Sequence, residues 1–110
     1  MQIHFLYCED CPSHDVALAR LREVLQAEAV DVSIDIVTVE TDAQAAALRF
    51  IGSPTILIDG QDIDPPASDE PYARTCRIYR QENGRISPLP SVATIRAAVR
   101  AHLQSEHMSA

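Results

Sequence analysis

The sequence predicts a single α/β domain with the element order β-α-β-α-β-β-α. The expected architecture is a four-stranded mixed sheet with helices on both faces. Three observations point there. Residues 3–7, 32–39, 55–58 and 76–80 form short apolar or alternating runs with strand length and period. Three other stretches repeat apolar residues at helical spacing. The chain of 110 residues is long enough for one core and too short for two.

Ile3, Phe5, Leu6 and Tyr7 make the first strand apolar on both faces, as a central strand requires. His4 is its exception, either a half-buried histidine with a partner or a polar group near a site. Pro12 suits a first helical turn, and Asp15 suits the positive helix N-terminus. Ala17, Leu18, Leu21, Val24 and Leu25 then form one apolar face, which predicts a helix over 12–29. Val32, Ile34 and Ile36 alternate with polar residues in a strand whose first half has one wet face. Val37 and Val39 switch parity, so its second half is expected to be covered on both sides.

Thr41 and Gln44 have capping-box spacing ahead of Ala45–Leu48, with Gly52 as the expected helix exit. Pro54 precedes the third strand, and Asp59-Gly60 is a turn signal. Residues 61–75, with three prolines and several acidic residues, read as a long solvated loop, or a loop with one helical turn near Ser68 to Tyr72; the acidic spacing does not match a calcium loop. Cys76–Arg80 is the expected fourth strand, followed by an Asn83-Gly84 turn. Ser91 caps a last helix with Val92, Ile95, Val99 and Leu103 on its apolar face. The domain spans 1–104, and 105–110 are expected to fray.

Composition narrows the function. The net charge is -7 and all nine basic residues are arginine. An acidic chain without a basic stripe argues against binding a phosphate backbone. The absence of lysine removes Schiff-base chemistry and the P-loop lysine. No leader pattern and no membrane-spanning run is apparent, so the expectation is a cytoplasmic protein with no membrane or nucleic-acid partner, monomeric or weakly dimeric.

The chemistry concentrates in Cys8-Glu9-Asp10-Cys11, which lies between the first strand and the first helix. There the two cysteines can close a disulfide, share a metal or do neither. A third cysteine, Cys76, makes the number odd, which does not read as a secreted disulfide framework; in a reducing compartment a C-x-x-C is more often catalytic or metal-binding.

A C-x-x-C at the start of the first helix, Gly52-Ser53-Pro54-Thr55 entering a strand after the second, and a final amphipathic helix together resemble the thioredoxin superfamily. The likeness is to its short, glutaredoxin-like form and covers about residues 2–103. Residues 52–60 with Cys76-Arg77-Ile78-Tyr79 also resemble small bacterial thioredoxin-like proteins sometimes labelled alkylmercury lyase-related. The resemblance implies a thioredoxin-like fold in which Pro54 is a cis-proline beside the cysteine pair. The sequence departs from the best-known oxidoreductases in its middle dipeptide, Glu9-Asp10, and in carrying Pro12 after the second cysteine.

The function that follows is a reductase-type thiol–disulfide oxidoreductase. Exchange needs an attacking thiolate and a second thiol to resolve the mixed disulfide. The i, i+3 spacing leaves Cys8 at the exposed edge as nucleophile and turns Cys11 inward as resolving thiol. Ser53, Pro54 and Thr55 would bind substrate: Pro54 has no N–H, so the Ser53 backbone stays available to an extended chain. The helix N-terminus favours the Cys8 thiolate, whereas Glu9 and Asp10 oppose it by about 0.5–2 kcal/mol each. A protonated His14 would offset part of this. The balance favours a reducing or slow couple over a strong oxidant.

No cofactor is expected beyond the Cys8–Cys11 disulfide. The substrate would be a protein or low-molecular-weight disulfide, and a reductase or glutathione would recycle the pair. The alternative is a soft-metal protein binding mercury, copper or zinc through Cys8, Cys11, His14 and Cys76. Outside that metal reading Cys76 is either a small buried hydrophobe or a redox partner of the pair. A third possibility is a scaffold whose acidic surface binds another protein.

Overall fold

The computed structural model describes residues 1–9, 14–64, 79–80, 85–87 and 89–108. Three helices and a four-stranded mixed sheet form a mixed α/β architecture. Strand β1 is Ile3–Tyr7, helix α1 is His14–Ala27, β2 is Ile34–Thr38 and α2 is Asp42–Leu48. Then follow β3 (Thr55–Ile58), β4 (Gln61–Asp62), β5 (Tyr79–Arg80), β6 (Ile86–Ser87) and α3 (Val92–Met108).

The sheet order is β2-β1-β3-β4. β1 is parallel to β2 and antiparallel to β3, so its apolar run lies in the interior of the sheet as its composition requires. Its side chains alternate between two cores. Ile3 and Phe5 pack with Ala17, Leu21, Val24 and Leu25 of α1, Ile56 and Ile58 of β3, and Ile95 and Val99 of α3. Leu6 packs on the other face with Cys8, Val39, Ala45 and Phe50. α1 and α3 therefore share one face and α2 takes the other. An Arg100–Glu28 ion pair ties α3 to α1, and Arg20 Nη1 donates to the Pro90 carbonyl at 3.0 Å.

Local chemistry explains the element ends. The Thr41 hydroxyl accepts from the Gln44 N–H at 3.0 Å, and Gln44 Oε1 accepts back from the Thr41 N–H, closing the capping box. The exit of α2 is Arg49 rather than Gly52. Arg49 is left-handed (φ 56), and the following Phe50 N–H bonds the Ala45 carbonyl at 2.7 Å. The fully buried Phe50 anchors that turn, so a residue other than glycine is held there. The Ser91 hydroxyl accepts from the Thr94 N–H and caps α3.

Three expectations need correction. The fourth strand of the sheet is β4, not residues 76–80. Asp59 (φ 52) and Gly60 (φ 82) form a two-residue turn, and the chain folds straight back with Ile58 opposite Gln61. Tyr79–Arg80 pairs instead with Ile86–Ser87 in a separate two-stranded sheet. Second, α3 runs to Met108, beyond the expected start of fraying. Third, Ile36 is exposed because β2 is an outer strand, where the covering helices no longer reach. The remainder of the expected 61–75 loop beyond Asp64, and the Asn83-Gly84 turn, lie outside the described residues. Among the described residues no helix is long and apolar enough to cross a membrane.

The far end of the β1–β3 pair is fastened by charge. Asp59 Oδ1 accepts from the Gln2 N–H at 2.8 Å, the Asp59 N–H returns a bond to the Gln2 carbonyl, and His102 Nδ1 lies 3.4 Å from Asp59 Oδ2. The Gln2 N–H, against some desolvation, holds the Asp59 carboxyl below its ordinary range, and the N-terminal ammonium and His102 act in the same direction.

Candidate functional site

The β1–β3 register brings the two motifs together. Ile3 pairs with Ile58, His4 with Leu57, Phe5 with Ile56 and Leu6 with Thr55. Continued by two residues, the same register sets Tyr7 opposite Pro54 and Cys8 opposite Ser53. Pro54 has no N–H to offer a ladder. At Cys8 the strand's donor is met by a side chain instead: the Cys8 N–H donates to Ser53 Oγ at 3.1 Å, in a buried setting. That bond satisfies a main-chain group that could not be left dry without a cost.

Residues 52–55 are tightly fixed. The Ser53–Pro54 peptide bond is cis. The Thr55 hydroxyl donates to the Gly52 carbonyl at 2.6 Å, and the Tyr79 hydroxyl donates to the Pro54 carbonyl at 2.5 Å. Ser53 and Thr55 are the buried polar residues of this region, and both have hydrogen-bond partners. Sequence reasoning missed Tyr79. An aromatic residue in an expected strand signals burial, and a buried phenol needs an acceptor, but nothing in the sequence says which one.

Cys8 is 1% exposed, which corrects the expectation of an exposed-edge sulfur. Like Leu6, it leaves the strand on the α2 side and packs among Leu6, Val39, Ala45 and Phe50. The neighbouring Glu9 is exposed, so water screens its carboxylate. His14 is placed differently from Cys8. Its ring stacks on Tyr7 with centroids 4.3 Å apart, and its Nε2 lies 3.2 Å from Asp15 Oδ1. Tyr7 packs against the α1–α3 core, the opposite side of the sheet from Cys8.

Cys8, Ser53, Pro54 and Thr55 are thus adjacent, with Glu9 beside them in solvent. Asp10, Cys11 and Cys76 lie outside the described residues. Among the described residues, no three His, Cys, Asp or Glu side chains gather as a metal ion would need. Comparisons with protein-family models, with curated proteins and with solved structures return no match.

Proposed function

We propose that the chain is a reductase-type thiol–disulfide oxidoreductase of thioredoxin-like fold, with Cys8 and Cys11 as its couple. The observation that carries this reading is the Cys8 N–H to Ser53 Oγ bond. It joins the C-x-x-C turn to the Ser-Pro-Thr segment, two motifs 45 residues apart that the reading requires to be neighbours. The mixed sheet, with α1 following the cysteine turn and α2 on the opposite face, agrees with such a fold.

In this reaction the Cys8 thiolate attacks one sulfur of a substrate disulfide and expels the other as a thiolate. The Cys11 thiolate then attacks Cys8 in the mixed disulfide and releases the second substrate thiolate. The substrate gains two electrons, Cys8 and Cys11 become a disulfide, and the released thiolates take protons from water. Glutathione or a reductase returns the two electrons. Because Cys8 is buried, attack requires the groups around it to give way.

Glutathione-buffered equilibration with mass-spectrometric trapping of thiols tests the proposal. A single two-electron transition confined to Cys8 and Cys11 is expected between about -200 and -270 mV. Cys8→Ser or Cys11→Ser should abolish it. Thiols that stay reduced across the whole range would exclude the redox function.

A further inference from the structure

Tyr79 lies outside both the C-x-x-C pair and the Ser53-Pro54-Thr55 segment, yet its hydroxyl reaches the second of these. The residue is 1% exposed, and β5 has no ladder to the four-stranded sheet among the described residues. Its 2.5 Å bond to the Pro54 carbonyl therefore links the small sheet to the segment entering β3. One residue back, Ser53 Oγ holds the Cys8 N–H. The two hydrogen bonds are joined through the Ser53–Pro54 backbone, so fixing the carbonyl at one end fixes the acceptor at the other. Thr55 and Gly52 brace the same turn.

We propose that Tyr79 is a positioning residue for Cys8. Acting through Pro54 and Ser53, it holds the 53–54 segment against the strand end that carries the thiol and so restricts access to that thiol. Its relevance to exchange rests on the redox reading of Cys8; the contact itself is tested without it. Removing the hydroxyl frees the Pro54 carbonyl, lets Ser53 drift from the Cys8 N–H, and opens a route to a thiol that is otherwise buried.

The test is the rate of iodoacetamide alkylation in the reduced full-length chain. Peptide mass spectrometry resolves Cys8, Cys11 and Cys76 in the wild type, Tyr79→Phe, Ser53→Ala and the double variant. Tyr79→Phe should accelerate alkylation at Cys8 about tenfold, the factor that one buried hydrogen bond is worth. Cys76 should hold its wild-type rate. Ser53→Ala should also accelerate Cys8, and adding Tyr79→Phe to it should change little, because both break one chain of contacts.

An unchanged Cys8 rate in Tyr79→Phe overturns the proposal. So does equal acceleration at all three cysteines, which is general loosening, or full additivity of the two substitutions. If Tyr79→Phe does not fold, Ser53→Ala alone decides, and an unchanged Cys8 rate there overturns it. Loss of the redox reading would show separately, as a wild type without a two-electron transition but with the same alkylation pattern.

Discussion

The antiparallel β1–β3 pair is closed in two different ways at its two ends. Beyond Ile3 and Ile58, the Gln2 N–H donates to the ionised, partly exposed Asp59 carboxylate, the Asp59 N–H donates to the Gln2 carbonyl, and His102 stands beside the carboxylate. Beyond Leu6 and Thr55, proline interrupts the ladder, and neutral hydroxyls from Ser53, Thr55 and Tyr79 complete the bonding where water is excluded. Charge is cheap where solvent screens it and expensive where it does not. The charged end serves as a fastening. The neutral end keeps a cysteine dry while satisfying the backbone around it.

This contrast ranks the substitutions that would break it. The largest effect is expected at Phe50, the fully buried ring in the core that contains Cys8. Phe50→Ala should cost about 3–5 kcal/mol in urea unfolding; a loss below about 1 kcal/mol would mean that burial does not hold the cysteine end. Next is Ser53. Ser53→Ala removes the Ser53 hydroxyl from the buried Cys8 N–H and should cost about 1–3 kcal/mol in urea unfolding. A loss below about 0.5 kcal/mol would show that the hydroxyl is not what holds this end.

The smallest effect belongs to Asp59, and it depends on pH. Its carboxyl is held low in the folded chain, so the stabilisation is fully present above the unfolded value near 3.9 and is lost as pH falls through the folded one. Melting curves from pH 6 to about 2 should therefore fall less steeply on the acid side for Asp59→Asn than for the wild type. Parallel curves would remove the charged fastening from the comparison.

Much of the fold was legible because it rests on local chemistry. The Thr41–Gln44 box, the Ser91 cap and the helical spacing of Ala17, Leu21, Val24 and Leu25 are each encoded within a few residues. Pro54 ahead of a β-rich run located β3 for the same reason. What was misread depends on position in the sheet. Asp59-Gly60 was a visible turn, but Gln61 and Asp62 look like loop and become strand only because Leu57 and Ile58 stand opposite. Ile36 has the pattern of an inward residue and loses its cover because β2 is outermost. At the candidate site, the sequence supplied both motifs. It did not supply the face of the sheet on which Cys8 would fall, nor the phenol arriving from a second sheet. Both are set by register and tertiary packing, which residue type alone does not encode.

The bond between the two motifs uses a main-chain donor at position 8 and a side-chain acceptor at position 53. The fold therefore asks nothing of the side chain at 8 for this contact, whereas 53 must keep an oxygen. In a saturation library selected only for folding, position 53 should retain a hydroxyl-bearing residue, while position 8 should accept residues of cysteine's size and apolar character. The contact that joins the two segments then constrains the side chain at one site and only the main chain at the other, and the residue at position 8 can change without rebuilding that hydrogen bond.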